Sequence, residues 1–153
     1  MRLSANFELA EFVSERDPHP PSESHLHNLQ TLCNLALEPL REALGRPLKI
    51  TSGYRSPEYN KSMNGAPGSM HCAGIAADIA VGDNNEIILA AAIASKIAAI
   101  GGIGVYPGRG FIHVDIRQRI GSTPTWWLQE PTGQYRKLNL AEKAKLKLKG
   151  AVL

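Results

Sequence analysis

The chain has no run of 18 apolar residues, so its sequence offers no membrane-spanning helix. Its first stretch, "MRLSANFELAEFVSERD", lacks the basic-then-apolar pattern of a secretory signal and is expected to open the fold itself. With two cysteines, Cys33 and Cys72, there is no disulfide framework. Cys33 falls on the apolar stripe of a helix and is expected to be a buried free thiol. Basic and aromatic residues are not interleaved, and no nucleic-acid-binding signature is present, so no nucleic-acid partner is expected. Internal repeats and a second-domain boundary are also lacking.

What remains is a chain of 153 residues, about the length of one domain. Its 43% apolar and 20% charged content excludes a disordered or coiled-coil chain. The net charge of +3 gathers in a basic C-terminal segment from about residue 136, where Arg136, Lys137, Lys143, Lys145, Lys147 and Lys149 oppose Glu142. Such a segment is either a solvated face or a weak electrostatic grip on an anionic polymer such as cell-wall material.

Along the chain, Phe7 to Phe12 form a short opening segment, and "RDPHPPSES" is a turn-rich connector. Leu26, Leu29, Cys33, Ala36, Leu40 and Ala43 recur at helical spacing. Ser22 or Ser24 can cap that helix, Pro39 should kink or divide it, and Gly45 with Pro47 ends it. "LKITS" reads as a strand and "GYRSPEYNKSMNGAPGS" as a long polar loop. "GIAADIAV" reads as a strand, followed by a helix from about Asn84 to Ile100 with Asp83 and Glu86 as a capping box. "GGIGVYPGRG" gives a strand and a turn, and "FIHVDIR" a further strand. The order implies an α+β domain with a mostly antiparallel sheet and flanking helices.

The chemistry lies in "SMHCAGIAAD" and "FIHVDI". In the second, Ile112, Val114 and Ile116 form an apolar face, so Phe111, His113 and Asp115 share the other. In the first, Ala77, Ile79 and Val81 face one way, and Asp78 with Ala80 the other. If these strands are neighbours, Asp78 and His113 leave the sheet together, and His71 needs only its loop to fold back. A buried hydrogen-bonded pair, a surface accident or the ligands of one metal ion all fit this pattern. As ligands, His71, Asp78 and His113 suit zinc and leave a fourth position open for water. Cys72, the nearest candidate fourth ligand, points away from His71 in an extended segment.

These residues resemble a known family. "SMHCAGIAAD" is similar to the S-x-H-x-x-G-x-A-x-D signature of the zinc D-alanyl-D-alanine carboxypeptidases, which share a fold with the vancomycin-resistance dipeptidases and the hedgehog signalling domain. "SGYRS", "GGIGVYPGRGFIHVDIR" with a downstream tryptophan (Trp126 or Trp127), and "LSANFELAEF" are similar to motifs of small bacterial and phage-encoded cell-wall peptidases. The resemblance covers about residues 1 to 127. It implies a single zinc peptidase-like domain over 1–153 that hydrolyses peptidoglycan stem peptides, as a carboxypeptidase or a cross-link endopeptidase.

Within that resemblance, His71, Asp78 and His113 are the zinc ligands. Arg55 holds the substrate's carboxylate or developing oxyanion, and Ser69 either contacts substrate or shapes its loop. Many members carry a catalytic carboxylate three residues before the second histidine, where this chain has Gly110. Asp115 is then the expected general base, with orientation of a ligand as its other role. Two alternatives to a peptidase follow: a zinc-binding interaction domain without catalysis, or a phage structural or attachment component. A peptidoglycan substrate with no visible export signal implies a phage-type route to the wall or carriage on a virion.

Overall fold

The computed structural model describes residues 1–153. Phe7 and Phe12 are buried on either side of a single 3-10 turn, Leu9–Glu11, and anchor the opening segment to the core. Helix α1 (Glu23–Leu32) starts where the Ser22 hydroxyl accepts the His25 N–H at 3.3 Å. It runs through a π-helical turn, Cys33–Leu37, into α2 (Glu38–Leu44), which ends at Gly45. Pro39 causes this interruption: it has no N–H to donate, and its ring needs room beside the carbonyl four residues earlier. The wider π turn supplies that room while Cys33, Ala36, Leu37 and Leu40 stay buried.

Strand β1 (Lys49–Ser52) follows, then α3 (Pro57–Ser62), a 3-10 turn at Met70–Ala73, and β2 (Ala76–Ala80). Helix α3 lies in the segment expected to be a loop. Its Ser56 cap accepts from the Tyr59 N–H, and Pro57 stands at the first helical position, where a proline fits. Helix α4 (Asn84–Ser95) begins with the expected Asp83–Glu86 box but stops five residues short of Ile100. The Arg119 guanidinium accounts for the stop, since it donates to the carbonyls of Ser95, Ile97 and Ile100 and replaces the helical partners they lack.

The remainder is β3 (Gly102–Tyr106), β4 (Phe111–Asp115), β5 (Thr125–Gln129), β6 (Tyr135–Arg136) and α5 (Leu140–Leu148). The six strands form one sheet in the order β1-β2-β4-β3-β5-β6. Because β5 runs parallel to β3 while the other pairings are antiparallel, the sheet is mixed. The expectation of a mostly antiparallel sheet is corrected accordingly: the chain leaves β4, crosses beyond β3 and comes back alongside it in the same direction. No helix is long and apolar enough to cross a membrane.

The two faces of the sheet have separate duties. Ile79, Ile103, Val105, Ile112, Val114 and Leu128 enter one core cluster that reaches from Leu3 to Leu146. Helix α4 packs into it with Ile87 and its alanines, whose small side chains let it approach the sheet closely. The basic C-terminal segment belongs to this packing through the fully buried Leu146 of α5, and Arg136 is neutralised by Glu130 and Glu142.

Truncating Leu146 therefore tests how firmly α5 is built in. Leu146→Ala is expected to cost about 2–5 kcal/mol in denaturant unfolding, the usual range for a buried leucine. Leu148→Ala, at a side chain 86% exposed, should stay within about 0.5 kcal/mol of wild type.

Candidate metal centre

Strand register sets the open face of the sheet in rows. One row runs Ser52, Asp78, His113, Gly104, Trp127 across β1, β2, β4, β3 and β5. A second, two residues along, holds Ala76, Asp115, Gly102 and Thr125. On the opposite side Ala80, Phe111 and Tyr106 are paired in turn, and Gln129 pairs with Tyr135. The first row is the candidate centre, and its neighbours serve it from either side.

His71 reaches the row from the 3-10 turn before β2. The Ser69 hydroxyl accepts the His71 backbone N–H at 3.3 Å, and the His71 ring Nδ1 lies 2.7 Å from the Gly53 carbonyl. A carbonyl can only accept, so Nδ1 carries the proton and Nε2 presents a lone pair. That Nε2 lies 3.3 Å from Asp78 Oδ1. His113 is fixed in the same manner with its nitrogens exchanged. Its Nε2 donates to Asp115 Oδ2 at 2.8 Å, and its Nδ1 faces Asp78 Oδ1 at 3.0 Å.

Three lone-pair atoms thus converge on one point, all within 4.8 Å of one another and all on buried residues. Zinc-to-ligand distances of about 2.1 Å at tetrahedral angles place ligand atoms roughly 3.4 Å apart. The separations of Asp78 from His71 and His113, 3.3 and 3.0 Å, are close to that edge length. The donor set fits zinc: two imidazoles and one carboxylate oxygen, with the remaining direction open to a cleft. Burial alone would raise Asp78, but the charge and hydrogen bonds of His71 and His113 hold it well below the usual carboxylate range. Burial pushes His71 down, against the pull of Asp78. For His113 burial acts in the same direction, yet its bonds to Asp115 and Asp78 prevail and raise it.

Arg55 stands at the β1 end of the row. Its Nε donates to Ser52 Oγ at 3.0 Å, one Nη to Asn60 Oδ1 at 3.3 Å and the other to Asp78 Oδ2 at 3.4 Å. Asp17 braces this loop by accepting the Ser56 N–H and hydroxyl, each at 2.7 Å. Within the prolines of "RDPHPPSES" nothing marked Asp17 for such a role. Arg55, Ser69 and the three candidate ligands all line one cleft of about 580 Å³.

Asp115 lies deeper than the candidate ligands. Its carboxylate is fully buried and does not line the cleft. Oδ1 accepts from the Arg117 backbone N–H at 3.1 Å and from Nε at 2.8 Å, while Oδ2 accepts from Arg117 Nη2 at 2.7 Å and from His113. Burial would raise its pKa, but the bonds from His113 and Arg117 hold it well below the usual range. A carboxylate so committed suits the second role weighed for Asp115, that of orienting the His113 ring from behind, better than that of general base. Gly110, at the position of the family's carboxylate, has φ +75°, a conformation that disfavours any residue bearing a side chain. Its carbonyl binds the Val81 and Gly82 N–H groups, so the turn itself requires that geometry.

On the far side of the row the sequence left two tryptophans open. Trp127, not Trp126, faces the site, with its ring 5.0 Å from that of His113. Trp126 instead donates from Nε1 to the Val152 carbonyl at 2.9 Å. Arg117 lies 5.0 Å above the Trp127 ring while it grips Asp115. Trp127 can cross β3 only because position 104 is glycine: a Cβ there would sit 2.5 Å from Trp127 Nε1.

A family model described as Peptidase M15 matches residues 6–115. No curated protein matches the chain. The matched span contains Arg55, Ser69, His71, Asp78, His113 and Asp115, and it ends where β4 ends.

The crossing at Gly104 can be measured. Gly104→Ala is expected to displace the Trp127 ring, shift its fluorescence emission and lower stability by about 1–3 kcal/mol, as overpacking does. Unchanged emission and stability would show that Trp127 does not depend on that gap.

Proposed function

The chain belongs to the peptidase M15 family, and we propose that it hydrolyses peptidoglycan stem peptides at the His71–Asp78–His113 centre. M15 peptidases are zinc-dependent metallopeptidases. One observation carries the reading: three lone-pair atoms aimed at a single point, beside an arginine, at the wall of an open cleft. When bound there, zinc supplies Lewis acidity that polarises a peptide carbonyl and acidifies water.

The chain's own residues do the rest. His71 and His113 are held in the ligating tautomer by Gly53 and Asp115. Arg55, aligned by Ser52 and Asn60, is placed to hold the substrate's carboxylate or the oxygen that gains charge in the reaction. Ser69 shapes the turn that delivers His71 and borders the substrate's path. Residues 1–153 act as one unit, with the work done at the cell wall.

The cleft supports a second reading. Asp78 is the one carboxylate that lines it, Asp115 lies behind His113, and Gly110 has no side chain. A zinc-binding domain that recognises a peptide without cutting it would have this composition.

Digestion of purified muropeptides by the zinc-loaded protein, read by mass spectrometry with and without a chelator, separates the readings. Chelator-sensitive loss of a terminal alanine is expected of a carboxypeptidase, and splitting of cross-linked dimers of an endopeptidase. Intact substrate in both arms overturns the peptidase reading in favour of the binding domain.

The role of Asp115 has its own test. Asp115→Asn should weaken zinc binding by roughly 10–100-fold, the usual effect of losing a carboxylate behind a ligating histidine. Excess zinc should then restore most of the turnover. Unchanged zinc affinity with turnover lost at all zinc concentrations is the outcome that returns Asp115 to the role of base.

A further inference from the structure

The aromatic row beside the metal row carries a charged group that the peptidase reading leaves without a task. Arg109 lies in the turn before β4, and its guanidinium sits 5.3 Å from the centre of the Phe111 ring. Phe111 itself is stacked on Tyr106 at 4.1 Å. Arg109 Nη1 donates to Gln129 Oε1 at 2.5 Å. Gln129 is buried, and its Nε2 donates to the Gly133 carbonyl at 3.3 Å, which fixes the amide with its oxygen toward the arginine. An exposed arginine loses rotamer entropy when it is held this way. A neutral amide gives it direction without neutralising it.

Three arginines line the cleft, and the other two face carboxylates. Arg117 grips Asp115, and Arg55 faces Asp78. Arg109 has Gln129 as its side-chain partner and no carboxylate. Its remaining N–H groups form a planar fork suited to an incoming carboxylate. Phe111 precedes His113 by two residues on the same strand face, about 6.7 Å away by strand geometry. With Arg109 beside Phe111, an extended peptide lying along the strand spans that step in roughly two residues.

Resting on the stem-peptide reading, we infer that Arg109 is the receptor for a second carboxylate of the substrate, one or two residues from the bond at the metal centre. Arg55 and Arg109 then bracket the centre from the β1 side and from the aromatic row. Together they select a peptide that carries two negative charges at a set spacing.

The test is calorimetric binding of synthetic stem peptides ending in D-alanyl-D-alanine to the zinc-loaded protein. Each free carboxylate of the peptide is amidated in turn, and wild type is compared with Arg109→Ala and Arg109→Lys. These exposed positions leave the core untouched. One amidation is expected to weaken wild-type binding roughly tenfold or more, as loss of a charge-assisted bond does. The same amidation should have little effect in Arg109→Ala and an intermediate effect in Arg109→Lys, which keeps the charge but not the fork. Penalties that are the same in wild type and Arg109→Ala for every amidation overturn the inference, as does absence of binding by every form. Hydrolysis is scored separately. Binding that depends on Arg109 without cleavage sinks the peptidase reading and leaves the receptor standing. Cleavage with no dependence on Arg109 sinks the receptor alone.

Discussion

Three lone pairs cannot be held face to face in a buried site unless positive charge lies between them, and the local structure is organised around that constraint. Gly53 fixes one histidine and Asp115 the other, each by accepting a hydrogen bond from the ring nitrogen that faces away from the centre. Asp78 stands between them with one oxygen, while its second oxygen faces Arg55. A metal ion would enter a frame already set, so little reorganisation opposes its binding.

The frame depends on what β3 omits. Its core-facing residues, Ile103 and Val105, are fully or almost fully buried, while Gly102 and Gly104 present no side chain to the site. A Cβ at Gly102 would meet both Asp115 carboxylate oxygens at 2.5 Å, and one at Gly104 would meet the Trp127 indole. The two bare positions therefore admit, from opposite flanks, the carboxylate that orients His113 and the ring that walls it. Glycine in a strand interior costs stability. Here the loss is offset by burial on the other face and by hydrogen-bonded neighbours on both sides of β3.

Sequence reasoning reached the parts of this that follow local rules. Period-two alternation put Asp78 and His113 on the non-core face, and the register confirms that they are direct partners. The capping box at Asp83 and the interruption at Pro39 were equally legible, because each is settled within one turn of chain. Features set by distant contacts were not. Nothing near Ser95 announces that Arg119 will end α4, and nothing near Asp17 announces that it will brace the Arg55 loop. The parallel placement of β5 is of the same kind, since a short apolar run does not declare which strand it will join.

Asp115 shows why a face read from alternation does not by itself settle a role. Alternation placed it beside His113, but sequence spacing carries no information about depth. The residue two places on sets that depth: Arg117 folds back over the strand end and fills three of the carboxylate's accepting positions, while its guanidinium lies over the Trp127 ring. A carboxylate that must hold an imidazole in one tautomer needs to remain ionised and still. One that acts as a base needs solvent access and a pKa close to that of its proton source. Burial beneath an arginine meets the first requirement and works against the second, which favours Asp115 as the group that orients His113 from its own strand.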